Sequence, residues 1–408
     1  MKEKKIGVES IIIVFYIMSA IIANDGSFAI KFARVALFAA MLLRLLKQKH
    51  IKWNQYFSWL AIFLVVSAMS VSWAESKTIA IAMIKTMTIN AICMAALLYL
   101  INFSEKRLEL SIKALAISPA FLEIHIILNG GLLAGFGNVR EVGGLSLNTV
   151  GLCGGFGACC ALYSWMRNKN KILWLAILGV DVLVVILSAS RKALFCFIIP
   201  IMITYIFDKN GSVVKKLIRI AILTIVIVSG YLLLLKVPFL YNSIGNRVES
   251  MFAAFAGNTS EADGSTLDRI NLTAWGIKWF KEKPIIGHGI DNYRVVLHGF
   301  RSDYPMSYYA HNNYVELLVD VGIVGLVAYY WNYIYMLISV IRYRRIVTNE
   351  EFIIIGMLIA LVINEVGLVS YYAKYIQVLL LIIWIIIYRI RLRYITNTAF
   401  RNMQGEIK

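Results

Sequence analysis

Three arginines and one histidine carry the clearest capacity for chemistry in this chain. Arg140 lies in a Gly-rich connection, Arg191 in LSASRKALF beside the end of an apolar stretch, and Arg269 at the head of an aromatic segment. A guanidinium stays protonated at any relevant pH and offers a planar fork of donors to anionic oxygens. His311 sits where a polar stretch gives way to an apolar one. An unperturbed imidazole titrates at about 6.5, near the value that suits a general base. Asn312, Glu316 and Asp320 follow at four-residue spacing, which puts them on one helical face. Lys31, Arg34 and Lys85 extend the cationic set.

The elements that must position these residues are apolar. The chain has 408 residues, of which 60% are hydrophobic and 16% charged. Its apolar windows fall near 9–24, 28–46, 56–74, 79–102, 108–128, 147–166, 172–189, 192–207, 217–236, 311–341, 352–372 and 375–390. A helix of about 20 apolar residues crosses a bilayer, so the pattern predicts an all-α integral membrane protein of about twelve spans. The net charge of +18 sits in short clusters between the apolar runs, which argues for membrane topology and against a nucleic-acid surface.

With the N-terminus in the cytoplasm, every second connection is basic: KQKHIK, SEKR, MRNKNK, DKNGSVVKK, RYRR and the tail RIRLR. Both termini are therefore expected inside. The basic start MKEKK precedes an apolar run without a convincing small-residue cleavage site, and is read as a retained first span. The domain reading is three-part: spans one to nine over 1–236, an extracytoplasmic loop domain over 237–310, and spans ten to twelve with a cytoplasmic tail over 311–408. Within the loop, Leu272, Trp275, Ile277, Trp279 and Phe280 predict an amphipathic helix over 266–282, ended by Pro284. Arg140, Arg191 and Arg269 then face outward, against the charge bias, which points to an anion at the outer surface.

The segment from Arg269 through NLTAWGIKWFKEKPIIGHGIDNY to HNNYVELLVDVGIVGL resembles a pattern of the O-antigen polymerase and ligase family of bacterial membrane glycosyltransferases. That pattern is an Arg, an aromatic helix, Pro-x-x-Gly-x-Gly, Ala-His-Asn, a following Glu and Gly-x-x-Gly. Ser190-Arg191 is similar to the family's Ser-Arg motif, Arg140 with GGLSLNTVG and Asn148 to its central loop, and Lys31-x-x-Arg34 to a weaker cationic pair. Lys192 departs from the pattern, standing where a small residue is common.

The resemblance implies transfer of a glycan from polyprenyl pyrophosphate to a hydroxyl of a second glycan. Arg191 and Arg269 are then expected to stabilise the departing pyrophosphate, with Arg140, Lys31 and Arg34 binding substrate. His311 is expected to take the acceptor proton, and Asn312, Glu316 and Asp320 to support the site or bind sugar. No DxD, P-loop or post-strand GxGxxG occurs, and Cys93, Cys153, Cys159, Cys160 and Cys196 show no ligand spacing, so neither metal nor cofactor is expected. The expected partners are lipid-linked donor and acceptor, membrane lipid and, as a candidate, a capsule-assembly chain-length regulator.

Blander readings stand beside these. Arg191 could snorkel to headgroups, Arg269 could be a solvated helix charge, and His311 could cap a span. Asp181 and Glu365 lie inside spans and receive no role, and GLCGGFG at 151–157 reads as close helix packing. Isoleucine- and lysine-rich usage tilts the reading to a capsular or O-antigen polymerase over a ligase. A secondary transporter or lipid flippase is the competing class, although the one long connection falls late in the chain and not between two halves.

Overall fold

The computed structural model describes residues 7–48, 53–128, 141–142, 145–188, 190–208, 212–236, 249 and 264–403. Among them the helices are α1 (Val8–Ile22), α2 (Phe28–Gln48), α3 (Gln55–Met69), α4 (Lys77–Ile101), α5 (Glu105–Leu128), α6 (Leu147–Arg167), α7 (Lys171–Leu187), α8 (Arg191–Phe207), α9 (Val213–Lys236), α10 (Gly264–Glu282), α11 (Tyr293–Phe300), α12 (Asn313–Tyr343), α13 (Asn349–Asn364) and α14 (Lys374–Met403). A two-stranded antiparallel ribbon pairs Glu141–Val142 with Leu145–Ser146. The protein is all-α and membrane-type: five described helices are long and apolar enough to cross a bilayer, namely Gln55–Trp73, Lys77–Ile101, Leu147–Arg167, Asn313–Ile346 and Lys374–Thr398.

Two apolar windows differ from the helices they hold. The window 352–372 continues past the end of α13 at Asn364, because Glu365–Ala373 form turns and extended chain. The window 311–341 is one helix by hydropathy but breaks at Gly322, where φ is 64° and ψ −165°.

Contacts divide the chain into two units. The first comprises Met1–Ile112, Trp275–Thr348 and Leu368–Lys408; the second, Lys113–Ala274 and Asn349–Gly367. The first unit is built around aromatic side chains. Trp59 and Phe63 of α3 pack on Tyr329 of α12, and Tyr56 packs on Trp384 of α14. The two indole N–H groups and the Gln55 amide are bonded inside this core. Trp59 donates to the Tyr329 carbonyl at 2.8 Å, Trp384 to Gln55 Oε1 at 2.6 Å, and Gln55 to Asn332 Oδ1 at 2.9 Å. At one end of α1, Arg44 and Arg107 converge on Glu9. Beyond its other end, Asp25 takes Arg34 at 2.5 Å and Lys374 at 3.2 Å.

The second unit packs α6 against α7, α8 and α13. A side chain at Gly151 would strike Ser188, one at Gly155 the Ala193 carbonyl, and one at Gly157 Pro119 and Asp181. The glycine run of α6 therefore allows backbones to approach, the usual role of small residues between membrane helices.

The break in α12 is closed by the chain that follows α10. A continuous helix would pair the Ile323 and Val324 N–H groups with the Val319 and Asp320 carbonyls. Here the Val319 carbonyl accepts from His288 N–H at 2.8 Å and the Asp320 carbonyl from Gly289 N–H at 2.7 Å. Ile323 and Val324 donate to the Pro284 and Ile285 carbonyls at 3.0 and 3.3 Å. The backbones approach so closely that a β-carbon on Gly322 would collide with the Ile285 carbonyl, and one on Gly287 (φ 68°) with Asp320. Gly322→Ala should lose about 2–4 kcal/mol of stability through the left-handed backbone and this collision. Gly299→Ala, on α11 with open space around it, should be neutral; thermal unfolding of both variants in detergent is the check.

Candidate functional site

The loop that closes the α12 break is also clamped by the connection between α3 and α4. Ser70 Oγ accepts from Ile290 N–H at 2.9 Å, the His288 carbonyl from Glu75 N–H at 3.1 Å, and Asn292 Oδ1 from Ser76 N–H at 2.6 Å. Trp73 donates its indole N–H to the Ile286 carbonyl at 3.2 Å. A β-carbon on Gly289, whose φ is 105°, would collide with Ala74. His288 is buried with Nε2 3.2 Å from the Trp279 carbonyl and Nδ1 3.2 Å from the Glu75 carboxylate, which also holds Lys283 at 2.6 Å. Those Lys283 and His288 bonds keep the Glu75 carboxyl below its ordinary range.

Asp320 joins this loop to the next helix. Its buried carboxylate accepts from the N–H groups of Asp291 at 2.8 Å and Tyr293 at 2.7 Å, and from the Tyr371 hydroxyl at 3.3 Å. Two of these bonds cap the start of α11, where donors have no partner within the helix. Glu316, one turn earlier, accepts from Ala310 N–H at 2.6 Å through Oε2. Asn312 caps α12 by accepting from Tyr314 and Val315 N–H at 3.0 and 3.2 Å. The three polar residues predicted on one face thus all bind backbone.

His311 lies between Ala310 and Asn312 with its own backbone left-handed at φ 54°. Its ring centroid is 4.0 Å from that of Tyr309 and 6.3 Å from that of Tyr308. Farther along the same stretch, Trp275 and Trp279 of α10 pack edge-on to Phe300, with Tyr304 against Trp275. Asn313, buried, accepts from Ser370 and Tyr371 N–H at 2.9 and 3.3 Å and donates to Tyr330.

The second unit holds the two arginines singled out in the sequence. Arg191 opens α8 behind Ser190, and Arg269 lies on the opening turns of α10. Both act electrostatically on the Lys192 ammonium, which donates to the Gly367 carbonyl beyond the end of α13. Both arginines therefore lie within electrostatic reach of Lys192. In the first unit, Arg34 is paired with Asp25 and Lys31 is exposed on α2. Arg140 lies outside the described residues.

Residues 172–330 match the O-antigen ligase family. That stretch contains Arg191, Arg269, the Pro284–Gly289 loop, His311 and the α12 break, and agrees with the family read from the motifs. The segments of Arg140 and of Lys31 with Arg34 lie before it. No curated protein sequence matches the chain.

One pair escaped the sequence reading. Asp291, buried at φ 59°, lies 2.6 Å from Arg294 at i+3 on the start of α11. The signal was present as Asp-Asn-Tyr-Arg, but i, i+3 pairs are common on helix surfaces. Burial pushes the Asp291 carboxyl up to about 6, above the ordinary 3.8, despite the Arg294 charge. A raised carboxyl favours folding below the unfolded value and loses that advantage as pH climbs through the folded one. The stability of Asp291→Asn relative to wild type should therefore rise by about 2–3 kcal/mol between pH 4 and pH 7. Paired thermal melts across that range measure it.

Proposed function

We propose that this protein is a polymerase that joins polyprenyl-pyrophosphate-linked oligosaccharide units on the outer face of a bacterial cytoplasmic membrane, in capsule or O-antigen synthesis. The observation that carries the reading is the O-antigen ligase match over 172–330, which spans Arg191, Arg269 and His311 together. A twelve-span arrangement with both termini cytoplasmic and 237–310 outside accords with the basic connections.

The acceptor hydroxyl attacks the anomeric carbon, the bond to the pyrophosphate oxygen breaks, and the acceptor proton passes to a base. In this scheme Arg191 and Arg269 hold the departing pyrophosphate. Negative charge grows there in the transition state, and fixed guanidinium donors stabilise it most when preorganised. Their shared electrostatic reach to Lys192 supports that assignment. His311 is the base, taking the proton on imidazole nitrogen. Asn312 and Asp320 act as positioning residues, because their side-chain oxygens hold the start of α12 and the start of α11. Arg140, Lys31 and Arg34 are assigned to substrate on the motif resemblance alone.

A ligase that moves finished glycan to another acceptor is the second reading, favoured by the description of the matching family. Lipid-linked repeat units as both donor and acceptor separate the two: a polymerase builds a ladder from them, whereas a ligase leaves them unjoined. In that assay Arg191→Lys and Arg269→Lys should each lose most of the rate, since lysine keeps charge without the bidentate fork. His311→Ala should slow polymerisation by about 10²–10⁴-fold at normal membrane abundance. Full-length polymer from His311→Ala would remove the base assignment, and normal polymer from all three variants would favour a transporter.

Topology is tested separately with single cysteines at Ser265 and Asn170 and an impermeant thiol reagent on intact cells. Position 265 should label and position 170 should not; the reverse pattern would remove the outward site.

A further inference from the structure

The first unit contains a second polar cluster that the proposed transfer step does not use and of which loop anchoring takes only Glu316 Oε2. Glu316 is 1% exposed, and only its Oε2 is bonded, to Ala310 N–H at 2.6 Å. Its Oε1 is buried without a hydrogen-bond partner. Asp291 and Arg294 both act electrostatically on Glu316. Asp291 Oδ1 is ion-paired with Arg294 Nη2 at 2.6 Å, and Arg294 Nε is buried without a hydrogen-bond partner. Tyr372 stands within electrostatic reach of Glu316, Asp291 and Arg294, and also of Tyr309.

Leaving buried polar atoms unbonded costs about 1–3 kcal/mol each, and more for charged groups. Asp320 shows the contrast on the same helix face: both of its oxygens are used by backbone donors. Around Glu316, its own Oε1 and the Arg294 Nε–H lack hydrogen-bond partners, and Asp291 Oδ1 has only its ion pair with Arg294, so the cluster offers carboxyl oxygens to accept and a guanidinium N–H to donate. A ligand that satisfies them must carry donors and acceptors side by side. A vicinal diol does so, because each hydroxyl donates to a carboxylate while its oxygen can accept from the guanidinium. Tyrosine rings beside such a site can cover the C–H face of a pyranose. Two carboxylates against one arginine disfavour phosphate or an acidic sugar.

We infer that Glu316, Asp291 and Arg294 form a binding site for a neutral pyranose presenting a vicinal diol. The inference rests on the glycosyl-transfer reading for its biological meaning, and it names the sugar chemistry that this site admits. Arg294, with a quarter of its side chain exposed, is the group a ligand meets first. Glu316 supplies the buried acceptor. Its Oε2 bond to Ala310 N–H also ties the residue before His311, so occupancy and loop geometry share one carboxylate.

The test uses the full-length protein in nanodiscs and saturation-transfer NMR. The probes are the methyl α-pyranosides of glucose, galactose and mannose, with the methyl glycosides of glucuronic acid and glucosamine as charged counterparts. At least one neutral glycoside should receive saturation from the wild type, and the glucuronide should not. Glu316→Gln keeps an acceptor for Ala310 N–H but replaces the free oxygen with a donor. Arg294→Gln changes a group with a quarter of its side chain exposed. Each should weaken binding about tenfold, the effect of one charge-assisted hydrogen bond, with melting temperatures confirming that both variants fold.

Equal saturation in the wild type and both variants would overturn the site, as would no neutral glycoside binding to the wild type. Preferential binding of the cationic glucosaminide would overturn the neutral assignment. Polymer formation by the same wild-type preparation separates this proposal from the function beneath it. Polymer without cluster-dependent sugar binding removes the site and leaves the polymerase; cluster-dependent binding without polymer does the opposite.

Discussion

In α12, two backbone hydrogen bonds that a continuous helix would make to itself are replaced by four bonds to the loop at 284–289. A helix in an apolar environment that opens at one residue exposes two donors and two acceptors, and hydrocarbon satisfies none of them. Here the loop supplies the missing partners in matching order, carbonyls from Pro284 and Ile285 and N–H groups from His288 and Gly289. Pro284 lacks an N–H and is called upon only as an acceptor, so its chemistry fits the place it occupies. Once this exchange is made, the loop cannot slide without breaking several bonds together. Asp320, on the turn before the break, then captures Asp291 and Tyr293 and sets the start of α11.

The same constraint explains the strained backbone bonded to α12, while the other described non-glycine residues with positive φ, Asn102 and Phe103, lie at the end of α4. Gly287, Gly289, Asp291 and His311 all have positive φ, and the segment carrying them is bonded to α12 or to the connection between α3 and α4. Left-handed backbone at non-glycine residues persists where surrounding contacts over-determine it. Asp291 is fixed through its N–H, whereas the Ala310 N–H bond to Glu316 holds the residue before His311. Backbone groups are thereby consumed in positioning, which leaves side chains such as Arg294 and the second oxygen of Glu316 for other work.

Charge is handled in more than one way. In the first unit, Arg34 and Lys374 share Asp25, while Arg44 and Arg107 share Glu9. Burial raises the Asp25 carboxyl, yet the Lys374 and Arg34 charges outweigh it and hold the group below its ordinary range. In the second unit, Arg191 and Arg269 act on Lys192 as like charges.

By itself the sequence determined an all-α membrane protein, the aromatic helix ending before Pro284, and the arginines and histidine of the family motif. These are local quantities: hydropathy over about 20 residues, a proline that stops a helix, and residue types at fixed spacing. It also held the glycines of the α12 break, but hydropathy is blind to a backbone torsion, so 311–341 reads as one uninterrupted span. Only the tertiary structure decided that Gly322 interrupts α12, because the interruption is stable solely when another loop supplies its hydrogen bonds. Likewise, four-residue spacing put Asn312, Glu316 and Asp320 on one face, yet could not tell a carboxylate consumed by backbone from one with an oxygen to spare. Asp320 and Glu316 differ in what lies opposite them, at residues 291, 293 and 310. That pairing comes from the return of the chain, which no window along the sequence contains.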